Sequence, residues 1–109
     1  MEDALFVQEV TQLHADICSA MADPRRILLL YAIADHQSNV SDLASEIGIS
    51  QPAASRHLKI LRDRGLIHPI RQGTSVEYHL TDTRLIDALD LLRSVLRDRL
   101  TYRANLLKA

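Results

Sequence analysis

The residues best equipped for intermolecular chemistry lie close together in the middle of the chain. Ser55, Arg56, Lys59 and Arg62 fall, with Pro52, on one side of a helix if residues 51–64 wind at about 100° per residue, and Gln51 sits at its exposed N-terminal end. Ala54, Leu58 and Leu61 group on the opposite side. The polar side joins long cations to an amide and a hydroxyl. Guanidinium and ammonium groups suit phosphate oxygens, and short polar groups suit base edges. Taken alone, an ordinary solvated helix face would read the same way.

A second pair is His14 and Cys18, four residues apart and therefore neighbours on one face of a first helix. Two such ligands make half a zinc-type site, and a third would have to come from His36, an acid or another chain. The alternative is a small buried cysteine and a surface histidine near an interface. No basic residue flanks Cys18 to stabilise a thiolate. Catalytic chemistry has little to build on. No glycine-rich phosphate loop, no paired carboxylates beside a nucleophile and no complete His/Cys/acid ligand set is present. Neither an enzyme nor a resident cofactor is expected.

The elements that must position the 51–64 helix are legible around it. Phe6, Val10, Leu13, Ile17 and Met21 form one apolar stripe of an amphipathic first helix. Asp23-Pro24 opens a second helix, Arg25 to about Ala34, which is apolar nearly all round and predicts a buried centre. Asn39 followed by Asp42 resembles an N-terminal capping arrangement for a short helix, Val40 to Ile47, with Val40, Leu43, Ala44 and Ile47 inward. Gly48 stops it, Ser50 or Gln51 caps the next, and Gly65 ends that one. Two short helices joined about a glycine make a helix-turn-helix. Leu66 to Arg71 and Ser75 to Leu80 then read as strands, because Val76, Tyr78 and Leu80 alternate with Glu77 and His79. Pro69 marks an edge strand. A hairpin directly behind a helix-turn-helix is a wing, and in that setting the outward face of 51–64 is read as a surface for double-stranded DNA. A winged helix used only for protein contacts is the alternative, and it would not need that face.

From Asp82 a long last helix carries Leu85, Leu89, Leu92, Leu96 and Leu100, with Ile86 and Val95 broadening the stripe. A chain of 109 residues cannot easily bury two long flanking stripes alone, so a homodimer is expected. The interface residues would be Leu13, Ile17, Leu89, Leu92 and Leu96. The fold class expected is mainly α with a small β-hairpin, about five helices, in one winged helix-turn-helix domain spanning 1–109.

The formal charge of −1 hides an uneven distribution. Residues 1–49 hold eight acids and two bases, whereas residues 50–80 hold five bases and two acids. The local field, not the sum, attracts phosphates. No segment is apolar enough to span a membrane, Glu2 and Asp3 stand where a signal peptide would be basic, and Cys18 is the only cysteine. These features predict a cytoplasmic protein.

Ser50-Gln51-Pro52-Ala53-Ala54-Ser55-Arg56-His57-Leu58-Lys59-Ile60-Leu61 resembles the recognition helix of ArsR-type (arsenic-repressor-like) bacterial regulators. Ala22-Asp23-Pro24-Arg25-Arg26-Ile27 resembles that family's second-helix opening, and Arg71-Gln72-Gly73 through Tyr78 its wing. The resemblance runs from about residue 16 to 80. It implies a symmetric dimer, paired by its first and last helices, that represses transcription until an effector binds. It places Gln51, Ser55 and Arg56 near bases, Ser50 and Lys59 near phosphates, and Arg71 and Thr74 at backbone or minor groove. His57, at the edge of the apolar face, is either a packing and hydrogen-bonding residue or a phosphate contact. Two-fold symmetry would call for an inverted-repeat operator. The family's metal positions are not kept. Val40 to Ala44 contains no cysteine, and the last-helix positions read Asp82, Arg84, Val95 and Asp98. Dithiol sensing would need a second cysteine. His14 and Cys18 remain the only metal candidates, and the resemblance names no effector.

Overall fold

Side-chain caps decide where the helices of this chain begin. The Asp23 carboxylate accepts from the Arg25 amide at 2.8 Å, the Asn39 side chain from the Asp42 amide at 2.9 Å, and the Ser50 hydroxyl from the Ala53 amide at 3.2 Å. Each satisfies a helix-start N–H that has no partner within its own helix. A computed structural model describes residues 3–108. Helix α1 covers Ala4–Leu13 and continues through a π-turn, His14–Cys18, and a 3-10 turn, Ala20–Ala22. Then come α2 (Pro24–Asp35), α3 (Val40–Ile47), α4 (Gln51–Asp63), β1 (Ile67–Gln72), β2 (Ser75–Leu80) and α5 (Arg84–Lys108). This is the five-helix, one-hairpin arrangement expected of a winged helix-turn-helix.

Between α3 and α4 the chain reverses through Gly48, whose φ of +76° lies in the left-handed region. The Gly48 amide donates to Ser45 O at 3.3 Å and the Ile49 amide to Ala44 O at 3.0 Å, so the last carbonyls of α3 are satisfied while the chain turns. Only Gly48, Ile49 and Ser50 separate the two helices. Below them sits the core. Leu29, Leu30 and Ile33 from α2, Leu43 from α3, Leu58 and Leu61 from α4, Leu66, Ile67 and, from α5, Leu89 are all buried in one cluster. Truncating Leu58 or Leu61 to alanine would cost about 2–5 kcal/mol by the usual cavity arithmetic.

The wing pairs antiparallel from Ile67 with Leu80 to Gln72 with Ser75, closed by Gly73-Thr74. Its base is fastened to the helices where the Tyr78 amide donates to Ser38 O at 3.0 Å and the Thr81 amide to Leu66 O at 3.0 Å.

The structure departs from the sequence expectations in four places. The first-helix stripe is not one regular helix: the π-turn inserts at His14, and no residue of α1 is buried within the chain. Leu28 of α2 is 50% exposed, because the core needs only the Leu29, Leu30 and Ile33 side of that helix. Cys18 is exposed rather than buried. Leu89, expected at a dimer interface, is 4% exposed, because it joins Leu29, Leu30 and Ile33 of α2 in the intrachain core.

Two arginines then fix α4 against the α1–α2 connection. Arg26 donates from Nε to Ala20 O at 2.6 Å and pairs through Nη1 with His57 Nδ1 at 3.2 Å. Arg64, at the C-terminal end of α4, donates to the Ala15 carbonyl and, at 2.8 Å, to Ser19 Oγ. An always-charged guanidinium can only donate, so Nδ1 of His57 must carry no proton. Burial holds the His57 pKa below its ordinary value, Arg25, Arg26 and Arg56 push it the same way, and Asp23 opposes them.

A histidine whose folded pKa is lowered stabilises the fold above its unfolded value and loses that stability as pH falls through the folded one. Stability should therefore decline below about pH 6.5, with a slope from this group of at most about 1.4 kcal/mol per pH unit. His57→Asn keeps an acceptor near Nδ1 without the titration. Urea denaturation between pH 5 and 8 should show a shallower acid decline in that variant than in wild type; parallel curves would contradict the lowered pKa of His57.

Candidate nucleic-acid interface

Helix α4 is divided along its length by what it buries. Ala53, Ala54, His57, Leu58 and Leu61 turn inward, while Gln51, Ser55, Arg56, Lys59 and Arg62 are all exposed. The core therefore consumes one face and leaves the other polar and continuous. Ser50 uses its hydroxyl as the cap of α4, which ties the start of that face to the helix N-terminus. Among the described residues the side chains of Gln51, Ser55 and Arg56 form no hydrogen bond or ion pair within the chain, so their donors and acceptors are available to a ligand. Lys59 is engaged, with Nζ 2.7 Å from Asp63 Oδ2, and that ammonium holds the Asp63 carboxyl below its ordinary range. Both partners are well exposed, so the pair is screened and a phosphate can displace Asp63 at small cost.

The wing adds a second contact region. Arg71 and Thr74 are exposed at the hairpin's far end, and neither side chain has a partner among the described residues. Nearer the base, His68 and His79 stack across the strands at 5.7 Å, and His79 Nε2 lies 3.0 Å from Glu77. Of the two readings of His57, the geometry fits the packing and hydrogen-bonding one: it is 8% exposed and faces Arg26.

Away from the α4 face, α1 and α5 leave many apolar side chains exposed. Leu92, Val95, Leu96 and Leu100 on α5 are each more than half exposed, and Phe6, Val10 and Leu13 on α1 nearly so. Ile17 is half-buried and packs against the core from the π-turn. An open cleft of about 630 Å³ separates the end of α1 from α5, with Cys18 and Met21 on one wall and Leu85, Ala88 and Leu92 on the other.

The candidate ligand positions fall apart geometrically. Arg84 closes on Asp82 with Nη2 2.7 Å from Oδ2, and that contact holds the Asp82 carboxyl down to about 2. His14 and Cys18 share the π-turn, but among the described residues neither belongs to any group of three potential metal ligands. His36, a candidate third partner for them, stands instead beside Asp35 and Glu46.

Sequence reasoning misses two things: the role of Arg64 and the π-turn it grips. Neither has a period or a cap to announce it. The contact spans 45 residues or more and exists only once α1 and α4 are packed.

The comparisons with known proteins match this geometry. Residues 23–68, from the cap of α2 to the start of the wing, match the model of the family described as bacterial regulatory protein, arsR family. The chain is 38% identical over 76 residues to the HTH-type transcriptional regulator NmtR of Mycobacterium tuberculosis; the aligned part covers 70% of this chain and 63% of NmtR. The chain thus spans less than two thirds of that relative's length. The nodulation protein NolR of Rhizobium meliloti is 31% identical over 90 residues, 83% of this chain and 74% of NolR. The crystal structure of NolR from Sinorhizobium fredii superposes with a TM-score of 0.74 at 28% identity, covering 87% of this chain and 95% of that one. A cap, a left-handed glycine, a split helix and a wing in this order, with these relatives, establish that the chain belongs to the arsR family of bacterial regulatory proteins.

Proposed function

We propose that this chain is a sequence-specific DNA-binding transcription regulator, acting in the cytoplasm as a homodimeric repressor that an effector releases. The observation that carries this reading is the exposed face of α4, where Gln51, Ser55 and Arg56 keep their polar groups free of intrachain partners. Helix α4 enters the major groove with that face. Gln51, Ser55 and Arg56 address base edges, Ser50 and Lys59 the adjoining phosphates, and Arg71 and Thr74 on the wing the backbone or minor groove. The basic balance of residues 50–80 supports the placement electrostatically.

The apolar surface of α1 and α5 supports the dimer. Exposed contiguous apolar area of this kind marks an interaction site on a folded protein. With Leu89 committed to the core, the contact falls to Leu13, Ile17, Leu92 and Leu96. A symmetric pair presents two α4 helices, so the operator is an inverted repeat with half-sites about one helical turn apart or a small multiple of that.

Two experiments test these statements. Arg56→Ala should weaken operator binding by about 1–3 kcal/mol and relax discrimination at one position of each half-site. Arg71→Ala should weaken operator and scrambled DNA alike and flatten the salt dependence by about 0.9 for each phosphate no longer neutralised. Salt titrations on both DNAs distinguish these outcomes; if both variants bind both DNAs as wild type does, the face serves protein contacts instead. For the dimer, Leu92 is 60% and Leu96 54% exposed in the single chain, so a charge there spares the monomer core and is penalised only against a partner. Leu92→Glu or Leu96→Glu should sediment as monomer and lose DNA affinity, whereas a wild-type chain that is monomeric at micromolar concentration would exclude the assembly.

A further inference from the structure

Where α2 ends and α3 ends, three potential ligands from two segments of the chain converge. Asp35 is the last residue of α2, His36 caps it in extended conformation, and Glu46 lies in the last turn of α3. One atom from each of the three side chains lies within 4.8 Å of the others. The imidazole stands between the two carboxylates, one beside each ring nitrogen. His36 Nε2 is 3.4 Å from Glu46 Oε2, and His36 Nδ1 is 3.3 Å from Asp35 Oδ2. Two ligands each about 2.1 Å from a shared cation at a tetrahedral angle stand roughly 3.4 Å apart. The second carboxylate, beside the other ring nitrogen, is placed as in carboxylate–histidine–metal arrangements, where it orients the ring and raises the basicity of the bound nitrogen.

Charge points the same way. Among the described residues neither Asp35 nor Glu46 forms an ion pair with a lysine or arginine. With a neutral imidazole the cluster therefore carries two negative charges and no cation. All three side chains are exposed, so water can complete a coordination shell.

We propose that Asp35, His36 and Glu46 bind one divalent first-row transition ion, clipping the end of α2 to the end of α3. Imidazole with carboxylates and no thiol selects the zinc, nickel and cobalt class over calcium or copper(I). The ion rests on His36 Nε2 and Glu46, with Asp35 supporting the ring and near enough to join. The site shares no residue with the α4 face or with His14 and Cys18, so it stands or falls independently of the DNA-binding reading.

The test is isothermal titration of the untagged full chain with nickel(II), repeated with cobalt(II). One equivalent per chain should bind with micromolar affinity and raise the thermal midpoint. His36→Ala and Glu46→Gln should each weaken binding at least tenfold and abolish the thermal shift, and Asp35→Asn should weaken it about tenfold. His14→Ala and Cys18→Ser should bind as wild type. Because all three ligands are exposed, the variants should keep the wild-type circular dichroism. Absence of saturable binding below millimolar ion, wild-type binding by both His36→Ala and Glu46→Gln, or a loss that follows His14 or Cys18 instead would each overturn the proposal.

Discussion

Everything this chain presents outward depends on one helix being held down on its inner side. Helix α4 commits Ala54, Leu58 and Leu61 to the core and has no other way to keep Gln51, Ser55 and Arg56 in a fixed outward row. Burying two leucines supplies several kcal/mol, and close packing fixes which side of the helix faces the core. Polar contacts at defined points add to that restraint. Ser50 caps the start of α4, His57 meets Arg26 midway, and Arg64 reaches Ala15 and Ser19 at the end. The cap fixes where α4 begins, and the two contacts to other parts of the chain, at its middle and its end, resist its rolling and sliding.

The same contacts join the outward face to the helices on the far side. Arg64 grips the π-turn, where α1 departs from regular geometry, and Arg26 grips the 3-10 turn that follows it. The exposed apolar stripe of α1 ends at Leu13, two residues before Ala15. The connection after α1 therefore meets the rest of the chain both through these arginines and through Ile17 and Met21, which pack against the core. π-turns recur at functional positions because the extra residue can be moved along the helix at small cost.

Most of this architecture is legible in the sequence because it is written in local signals. Asn39, Gly48 and Ser50 announce the helix-turn-helix through caps and a left-handed turn, and the alternation of Val76, Tyr78 and Leu80 announces the wing. The outward row on α4 follows from period alone. What escapes is non-local. A leucine stripe does not reveal which of its members the chain itself will bury, so the stripe offers Leu89 to a partner when α2 already takes it. Apolarity all round α2 does not foretell that Leu28 stays exposed. The gathering of His36 with Glu46, the grip of Arg64 and the exposure of Cys18 all depend on how elements meet, not on any spacing along the chain.

The central claim is that α4, held by its buried face, lies in the major groove of DNA with its exposed face toward the bases. Guanine-N7 methylation interference on the operator, read together with a hydroxyl-radical footprint, tests it most directly. Major-groove methylation should block binding in two symmetric patches about one helical turn apart, with backbone protection flanking each patch where the wings lie. Binding indifferent to N7 methylation in both half-sites, with interference only from methylation at adenine N3 in the minor groove, would contradict the account.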